Sequence, residues 1–343
     1  MPQNESVILR HVFCKGSILP EYLQTTKDKE KERGFSVLKK VLKRILISIP
    51  VLIGVVLAIF IMLRIVPGNP VTTMMGEHVN PAVIEKVSKE MGLDQPYYFQ
   101  FIKYVANALR GDFGTSYRLN RNVTQIIVEA FPHTVKLSVL AAVVAWIIGL
   151  TAGVIAAIRQ NKLLDRLFMG CALMGVSMPV FMTALVLQYV FAFKLKWFPV
   201  SGFDSLNAMV LPAIVLGWNS AGSIARMTRS NLVEIMQNDF IRTARAKGLR
   251  ESGVIIGHAL KNAMLPVVTM MALQISSMLS GAVLTESVFG VPGIGRLAVN
   301  AIETRDMPLL QGTVIFTTVL IIIGNLVADL LYNVLDPRIR EGE

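Results

Sequence analysis

Two glycines five positions apart, Gly248 and Gly253, with Arg242, Arg245 and Lys247 just ahead of them, are the nearest this chain comes to a phosphate-binding constellation. A phosphate-cradling loop needs that glycine spacing and then Lys followed by Ser or Thr, so that a cation and a hydroxyl reach the phosphate and its magnesium. Val254 and Ile255 stand there instead. The stretch is therefore not a nucleotide site, and its basic residues need another explanation. Hydrolytic chemistry fares no better. An intramembrane hydrolase would need a nucleophile and a base brought together, but His133 and His258 are expected on opposite sides of a membrane, and neither Gly-x-Ser-x-Gly nor His-Glu-x-x-His occurs. Cys14 and Cys171 have no metal-ligand or redox spacing. The expectation is a chain with no catalytic residue, no metal site and no cofactor of its own, and so not an enzyme by itself.

Composition says what must position the remaining residues. Of 343 residues 53% are hydrophobic and only 17% charged, and the apolar residues fall in long runs rather than on amphipathic faces. An apolar helix needs about 20 residues to cross a hydrocarbon layer of roughly 30 Å. Six runs qualify: Ile45 to Val66, Leu137 to Ile158, Leu167 to Val190, Met209 to Ala225, Met264 to Thr285 and Leu309 to Tyr332. The fourth is the shortest, carries Pro212 and Gly217, and is expected to stop at Arg226 and Arg229. The fold class is thus all-α: a polytopic membrane protein of six transmembrane helices with a helical insertion between the first and second.

The net charge of +11 does not point to nucleic acid, because the basic residues sit in short stretches flanking apolar runs. If the amino terminus is cytoplasmic, the inside receives ten Lys/Arg from residues 1–44 and seven from Arg226 to Lys261, with further ones at Arg159, Lys162, Arg166, Arg338 and Arg340. The long loop between the first two spans carries six, matched by six acids, and loops of that length cross largely regardless of charge. Both termini are expected inside. The first run begins too late, is too long and lacks the small-residue site of a cleavable leader, so it reads as an anchor. The divisions that follow are a cytoplasmic tail (1–44), the first span (45–66), an extracytoplasmic region (67–132), a core of five spans (133–336) and a cytoplasmic tail (337–343). Within the extracytoplasmic region, Pro96 followed by Phe101, Ile102, Val105 and Leu109 has helical apolar spacing and predicts a small helical cap.

Three ionisable residues near the ends of apolar runs, Lys136, Asp165 and Asp329, fit snorkelling or interfacial pairing. Gly149 and Gly153 have the small-xxx-small spacing of a close helix contact inside the subunit. The basic stretch itself predicts an elbow at about 238–262: Asn238 or Asp239 caps a short helix, Gly248 takes the left-handed position that ends it, and Ser252 caps a second helix running into the membrane past Pro266. Ala244, Ala246 and Gly248 would let another backbone approach closely, with Arg242, Arg245 and Lys247 to pair with acids there. A solvated basic loop is the alternative. On the other side, TESVFGVPGIGRL is rich in glycine and proline and reads as a turn-laden loop.

RTARAKGLRESGVIIGHALKNAMLPVVT resembles the inner-membrane permease of ABC importers for dipeptides, oligopeptides or nickel, specifically the B-type of their two permease subunits. So do IVPGNP, GLDQPYYFQFIKYV, GDFGTSY, RMTRSNLVEIMQNDFIRTARAKG and LTESVFGVPGIGRL, all in the expected order over roughly residues 36–340. The wider signature of such permeases has Glu-Ala-Ala where this chain has Thr243-Ala244-Arg245. It shares the glycine, at Gly248, but its proline falls five residues earlier than Pro266, so no role is carried over to that proline. The resemblance implies that Asp239, Arg242, Thr243, Ala244, Arg245, Ala246, Lys247, Gly248 and Leu249 form the coupling helix that docks on an ATPase subunit. It implies that Phe289, Pro292, Gly293 and Gly295 meet a binding protein or guard the entrance. Further implied are two ATPase subunits holding ATP and magnesium, a second homologous permease, an extracytoplasmic substrate-binding protein and residence in a bacterial or archaeal inner membrane. The substrate would be di- or oligopeptide, with nickel or a metal chelate as the alternative. A secondary transporter or channel is the rival of another class, and it would leave the elbow without a purpose.

Overall fold

The computed structural model describes residues 42–62, 65, 85, 88–89, 94–279 and 282–335. The tail at 1–41, the end at 336–343 and most of the segment 66–93 lie outside the described residues, and with them the expectations placed there. Among the described residues the chain is helical, apart from one isolated bridge between Thr115 and Asn122. The helices are α1 (Leu42–Met62), α2 (Tyr97–Leu109), α3 (Val123–Ile158), α4 (Leu163–Ser177), α5 (Val180–Lys194), α6 (Leu206–Ile235), α7 (Asp239–Ala246), α8 (Glu251–Leu279), α9 (Val283–Phe289), α10 (Ile294–Glu303) and α11 (Met307–Leu335). Five of them, α1, α3, α6, α8 and α11, are long and apolar enough to cross a membrane, and the pair α4 and α5 makes a sixth span if it counts as one.

That pair departs from the expected straight span. Pro179 restricts the residue before it to an extended conformation, and Met178 sits at φ −79° and ψ 135°. The chain therefore bends by 108° between α4 and α5 instead of running through.

α3 begins well before Leu137 because its first turns have their own partners. Asn122 caps it by accepting from the amides of Thr124 and Gln125, and Val123, Ile126, Ile127 and Ala130 pack with Ile294, Ala301 and Leu309 of α10 and α11. At the same end Asp306 is buried. Its carboxylate accepts from the hydroxyl of Ser116 and from the amides of Tyr117 and Arg118, which fastens GDFGTSY to the start of α11. The predicted helix after Pro96 is α2; its Phe101 meets Phe60 of α1 edge-on at 5.2 Å between centroids.

α6 is the central helix, and glycines let its neighbours come close. A methyl group at Gly149 or Gly153 of α3 would stand 2.8 Å or less from Ile224 or Thr228, and one at Gly222 would stand 2.3 Å from the carbonyl of Ala172. Gly149 and Gly153 thus serve packing inside the subunit, as their spacing suggests. The helix does not end where the apolar run does, at Arg226 and Arg229, but continues to Ile235. Arginine is a good helix former, so neither residue breaks the helix, and Arg229 has a partner of its own. It donates from Nε and Nη2 to the two oxygens of Asp165 at 2.6 and 2.7 Å, and Asp165, buried to 3% exposure, also accepts from the Asn161 amide. The forked pairing of both oxygens is what allows a carboxylate to be buried here.

Candidate functional site

Residues 238–262 form the expected elbow, built on a small apolar anchor. α7 turns Ile241 and Ala244 into a cluster with Ala157, Leu232, Val254, Ala259 and Ala263, so the short helix is fixed to the ends of α3, α6 and α8. Its dipole is matched by Asp239 in the first turn and Arg245 in the last. Asn238 occupies the cap position in an extended conformation without a side-chain hydrogen bond, and α8 starts at Glu251, one residue ahead of Ser252. Gly248 is left-handed at φ +78°, as predicted, and a side chain there would meet nothing within 4 Å in this chain. Within this chain only the backbone conformation constrains that position.

The site residues divide by exposure. Asp239, Arg242, Thr243, Arg245, Ala246, Lys247, Gly248 and Leu249 are exposed, whereas Ala244 faces inward. Ala246 and Gly248 are then the small residues that an approaching backbone would meet. Arg245 is already engaged: its guanidinium donates to Glu251 at 2.7 and 3.2 Å, which bridges the turn between α7 and α8. That hydrogen bonding raises the Arg245 pKa further above its ordinary value, so the group stays cationic. Arg242 lies 3.7 Å from Asp239 with both side chains mostly in solvent. Beyond the turn, residues Val254–Leu260 form a wide π-helical turn, a form found at functional positions in helices, and Pro266 has no N–H for the Asn262 carbonyl one turn back.

The segment at the other end of the bundle is more ordered than its glycines and proline suggest. Gly290, at φ +69°, ends α9, and Gly293 precedes α10, so the turn residues mark helix ends rather than a plain loop. Phe289, Gly293 and Gly295 are buried, and Pro292 is exposed. What fills the space beside the glycines is Glu286, a residue that no motif singled out. Its carboxylate accepts from the Thr134 hydroxyl of α3 at 2.8 Å and from the Arg296 amide at 3.1 Å, while Thr134 in turn accepts from the Ile294 amide. Burial is the leading influence and pushes the Glu286 carboxyl above the usual carboxylate range, and these hydrogen bonds, with one from the Gly295 amide, oppose it. A lone acid inside a run of apolar residues and glycines was the available signal. The same holds for the pairing of Asp165 with Arg229, two residues read separately as run-end charges.

The contact has a testable consequence. A methyl group on Gly293 would stand 2.5 Å from the Glu286 carboxylate, nearer than such atoms approach. Gly293→Ala should therefore lower the amount of folded protein in the membrane, irrespective of any binding partner. Pro292→Trp, at the exposed position, should leave that amount unchanged. Quantitative immunoblotting of membranes after detergent extraction checks both; equal amounts of the alanine variant would show that Glu286 moves aside freely.

Comparison with known proteins agrees with the architecture. A family described as "Binding-protein-dependent transport system inner membrane component" matches residues 149–341, and its companion "Binding-prot-dependent transport system membrane comp, N-term" matches residues 37–138. The glutathione transport system permease protein GsiC of Escherichia coli (strain K12) is 42% identical over 303 residues, covering 88% of this chain and 99% of that protein. The dipeptide transport system permease protein DppB of Alkalihalophilus pseudofirmus is 39% identical, covering 87% and 98%. Among solved structures, an inward-facing MetNI methionine ABC transporter matches with a TM-score of 0.54 at 15% identity, over 62% of this chain and 97% of that one. An amino acid ABC transporter crystallised with histidines matches at 0.50 and 17%, over 62% and 95%. Those two show a shared fold. With both family matches covering most of the chain and relatives near 40% identity along almost their whole length, the chain belongs to the inner-membrane permease components of binding-protein-dependent transport systems, the ABC importers.

Proposed function

We propose that this chain is the B-type permease subunit of an importer for di- or oligopeptides, glutathione-like peptides included. It lines half of the translocation path and takes its energy from two ATPase subunits that hold ATP and magnesium. A second homologous permease completes the path, and an extracytoplasmic binding protein delivers the substrate. The observation that carries this reading is the elbow: a short helix, anchored by Ile241 and Ala244, that presents Arg242, Thr243, Ala246, Lys247, Gly248 and Leu249 to a partner. A channel or secondary transporter has no use for such a knob. Uphill movement requires an energy-releasing event that favours one facing of the path over the other, and the elbow is where a partner's event would enter. Copurification tests it. Coexpressed ATPase subunits should stay bound in mild detergent, and flux from the chain alone should be absent; flux without them would overturn the reading.

Sidedness follows from the basic residues. With both termini in the cytoplasm and the α4–α5 pair crossing as one span, the elbow is inside, and Glu286 and Asp306 are outside. Gln125, Asn300, Gln160 and Ser252 are all exposed, which makes them suitable reporters. In a background with Cys14 and Cys171 replaced by serine, cysteines at Gln125 and Asn300 should react with an impermeant maleimide in intact cells. Those at Gln160 and Ser252 should react only after permeabilisation. Labelling of Ser252→Cys from outside would invert the placement.

A further inference from the structure

Between the middle of α6 and the far end of α8 lies a recess of about 300 Å³. Its polar lining is Asn219, Ser220 and Ser223 from α6 with Gln274 and Ser277 from α8. These side chains share one chemistry: each is a hydroxyl or a carboxamide, both donor and acceptor, and none is charged. Leu216 and Met278 supply an apolar wall. Serines and amides are an unusual choice for a seam between two apolar helices, where leucine or alanine would pack without any polar group to satisfy.

The two carboxamides are held in place. Asn219 donates through Nδ2 to the Gly175 carbonyl of α4 at 2.9 Å, and Gln274 donates through Nε2 to the Ser220 carbonyl at 3.2 Å. The carbonyl oxygen of Gln274 is shut off from solvent and accepts no hydrogen bond within the chain. Buried acceptors are rarely left so, and this one lies beneath the surface of the recess rather than open to it, so the polar character of the recess comes from its lining as a whole.

We propose that this recess is a resting place for the peptide backbone of the substrate in transit, in which the N–H and C=O groups of one peptide unit pair with these hydroxyls and carboxamides. The proposal rests on the import reading and deepens it. A peptide unit is a neutral dipole with one donor and one acceptor, the same in every peptide. A lining of neutral donor-acceptor groups reads it without reading the side chains. A bare metal ion or a strongly anionic ligand finds no counter-charge here and would have to shed its hydration for nothing. The absence of ionic pairing also keeps the hold weak, as a conducting path needs: binding favourable enough to enter and weak enough to leave.

The test uses the assembled transporter, with its ATPases, second permease and binding protein, in proteoliposomes. In the Cys14→Ser/Cys171→Ser background, Ser223→Cys is modified with benzyl methanethiosulfonate, which fills the recess. The probes are radiolabelled Ala-Ala, penta-alanine and glutathione. For whichever is taken up, modification should lower uptake at least tenfold, leave ATP hydrolysis stimulated by the loaded binding protein within about twofold, and be reversed by dithiothreitol. Gln274→Leu should raise KM for uptake by a similar factor whether the peptide side chain is small or large, tested with Ala-Ala and Phe-Phe. Undiminished uptake after complete modification would place the recess off the path and overturn the proposal. A KM effect confined to one side-chain type would overturn backbone reading. If the unmodified complex shows neither uptake of any probe nor stimulated hydrolysis, the import reading itself falls, and the proposal with it.

Discussion

Arg229→Ala is expected to remove most of the protein from the membrane. The substitution leaves Asp165, 3% exposed, without the forked partner that holds both of its oxygens. Removing one member strands the remaining charge, which costs up to about 3–5 kcal/mol when both groups are fully buried and less here, where the Arg229 side chain is 27% exposed. The pair also ties α4 to the stretch of α6 that reaches toward the elbow, so the loss acts where the anchor of α7 begins. Asp165→Leu combined with Arg229→Met should recover much of the folded amount, since a buried pair is often replaceable by apolar groups of similar volume. Membrane abundance and melting in detergent, measured for the single and the double variants, check this. If Arg229→Ala melts like the parent, the pair is solvated in the membrane-embedded protein and contributes little.

Gly248→Val should uncouple the permease from its ATPases. A β-branched side chain in the left-handed region carries a strain of about 1–2 kcal/mol, here with no compensating or clashing contact inside the chain, since the space beside Gly248 is open. Gly248→Asn separates the two effects, because asparagine tolerates that backbone region and still adds bulk toward a partner. Expected, at equal membrane abundance, is loss of ATPase retention and of substrate-stimulated hydrolysis for valine, with a clear but smaller loss for asparagine. Arg245→Ala should do less than either. Its bridge to Glu251 is exposed, and an exposed, solvent-screened ion pair contributes little. Normal coupling in Gly248→Val, with ATPase release in Arg245→Ala, would mean that the elbow works by charge rather than by fit.

How much of this was legible in the sequence differs between elements for physical reasons. The spans were readable because hydrocarbon thickness fixes a length, and the elbow because Gly248 marks a helix end that only a left-handed residue makes. Helix ends are less legible than spans. Val123 to Lys136 falls ahead of the apolar run because its residues are mixed in polarity, yet it is helical, stitched to α10 and α11 by Val123, Ile126, Ile127 and Ala130 at i, i+3, i+4, i+7 spacing. Arg226 and Arg229 mark the end of an apolar run but not of a helix, since arginine is a good helix former, and the carboxylate that pairs Arg229 lies 64 residues away in sequence. The 108° break at Pro179 was in principle visible as a proline inside an apolar run, but proline is tolerated in membrane helices, as Pro132, Pro212 and Pro266 show in this same chain. Glu286 stayed silent because a single acid has no spacing to recognise. Its meaning is given by Thr134, Gly293 and Gly295, which only the fold brings beside it.

The two buried carboxylates at the end remote from the elbow are held by neutral donors: Glu286 by a threonine hydroxyl and backbone amides, Asp306 by a serine hydroxyl and backbone amides. Dissolved ions weaken exposed charge pairs, largely screening those more than about 10 Å apart at 0.1 M, and reach buried hydrogen bonds far less. In the proposed orientation those clamps face a medium whose salinity the cell does not set, while the exposed Arg245–Glu251 bridge sits in a cytoplasm whose ionic strength the cell regulates. A brackish or a dilute surrounding would then leave the outer face in the same shape, and only charged contacts made across it to another protein would strengthen or fade.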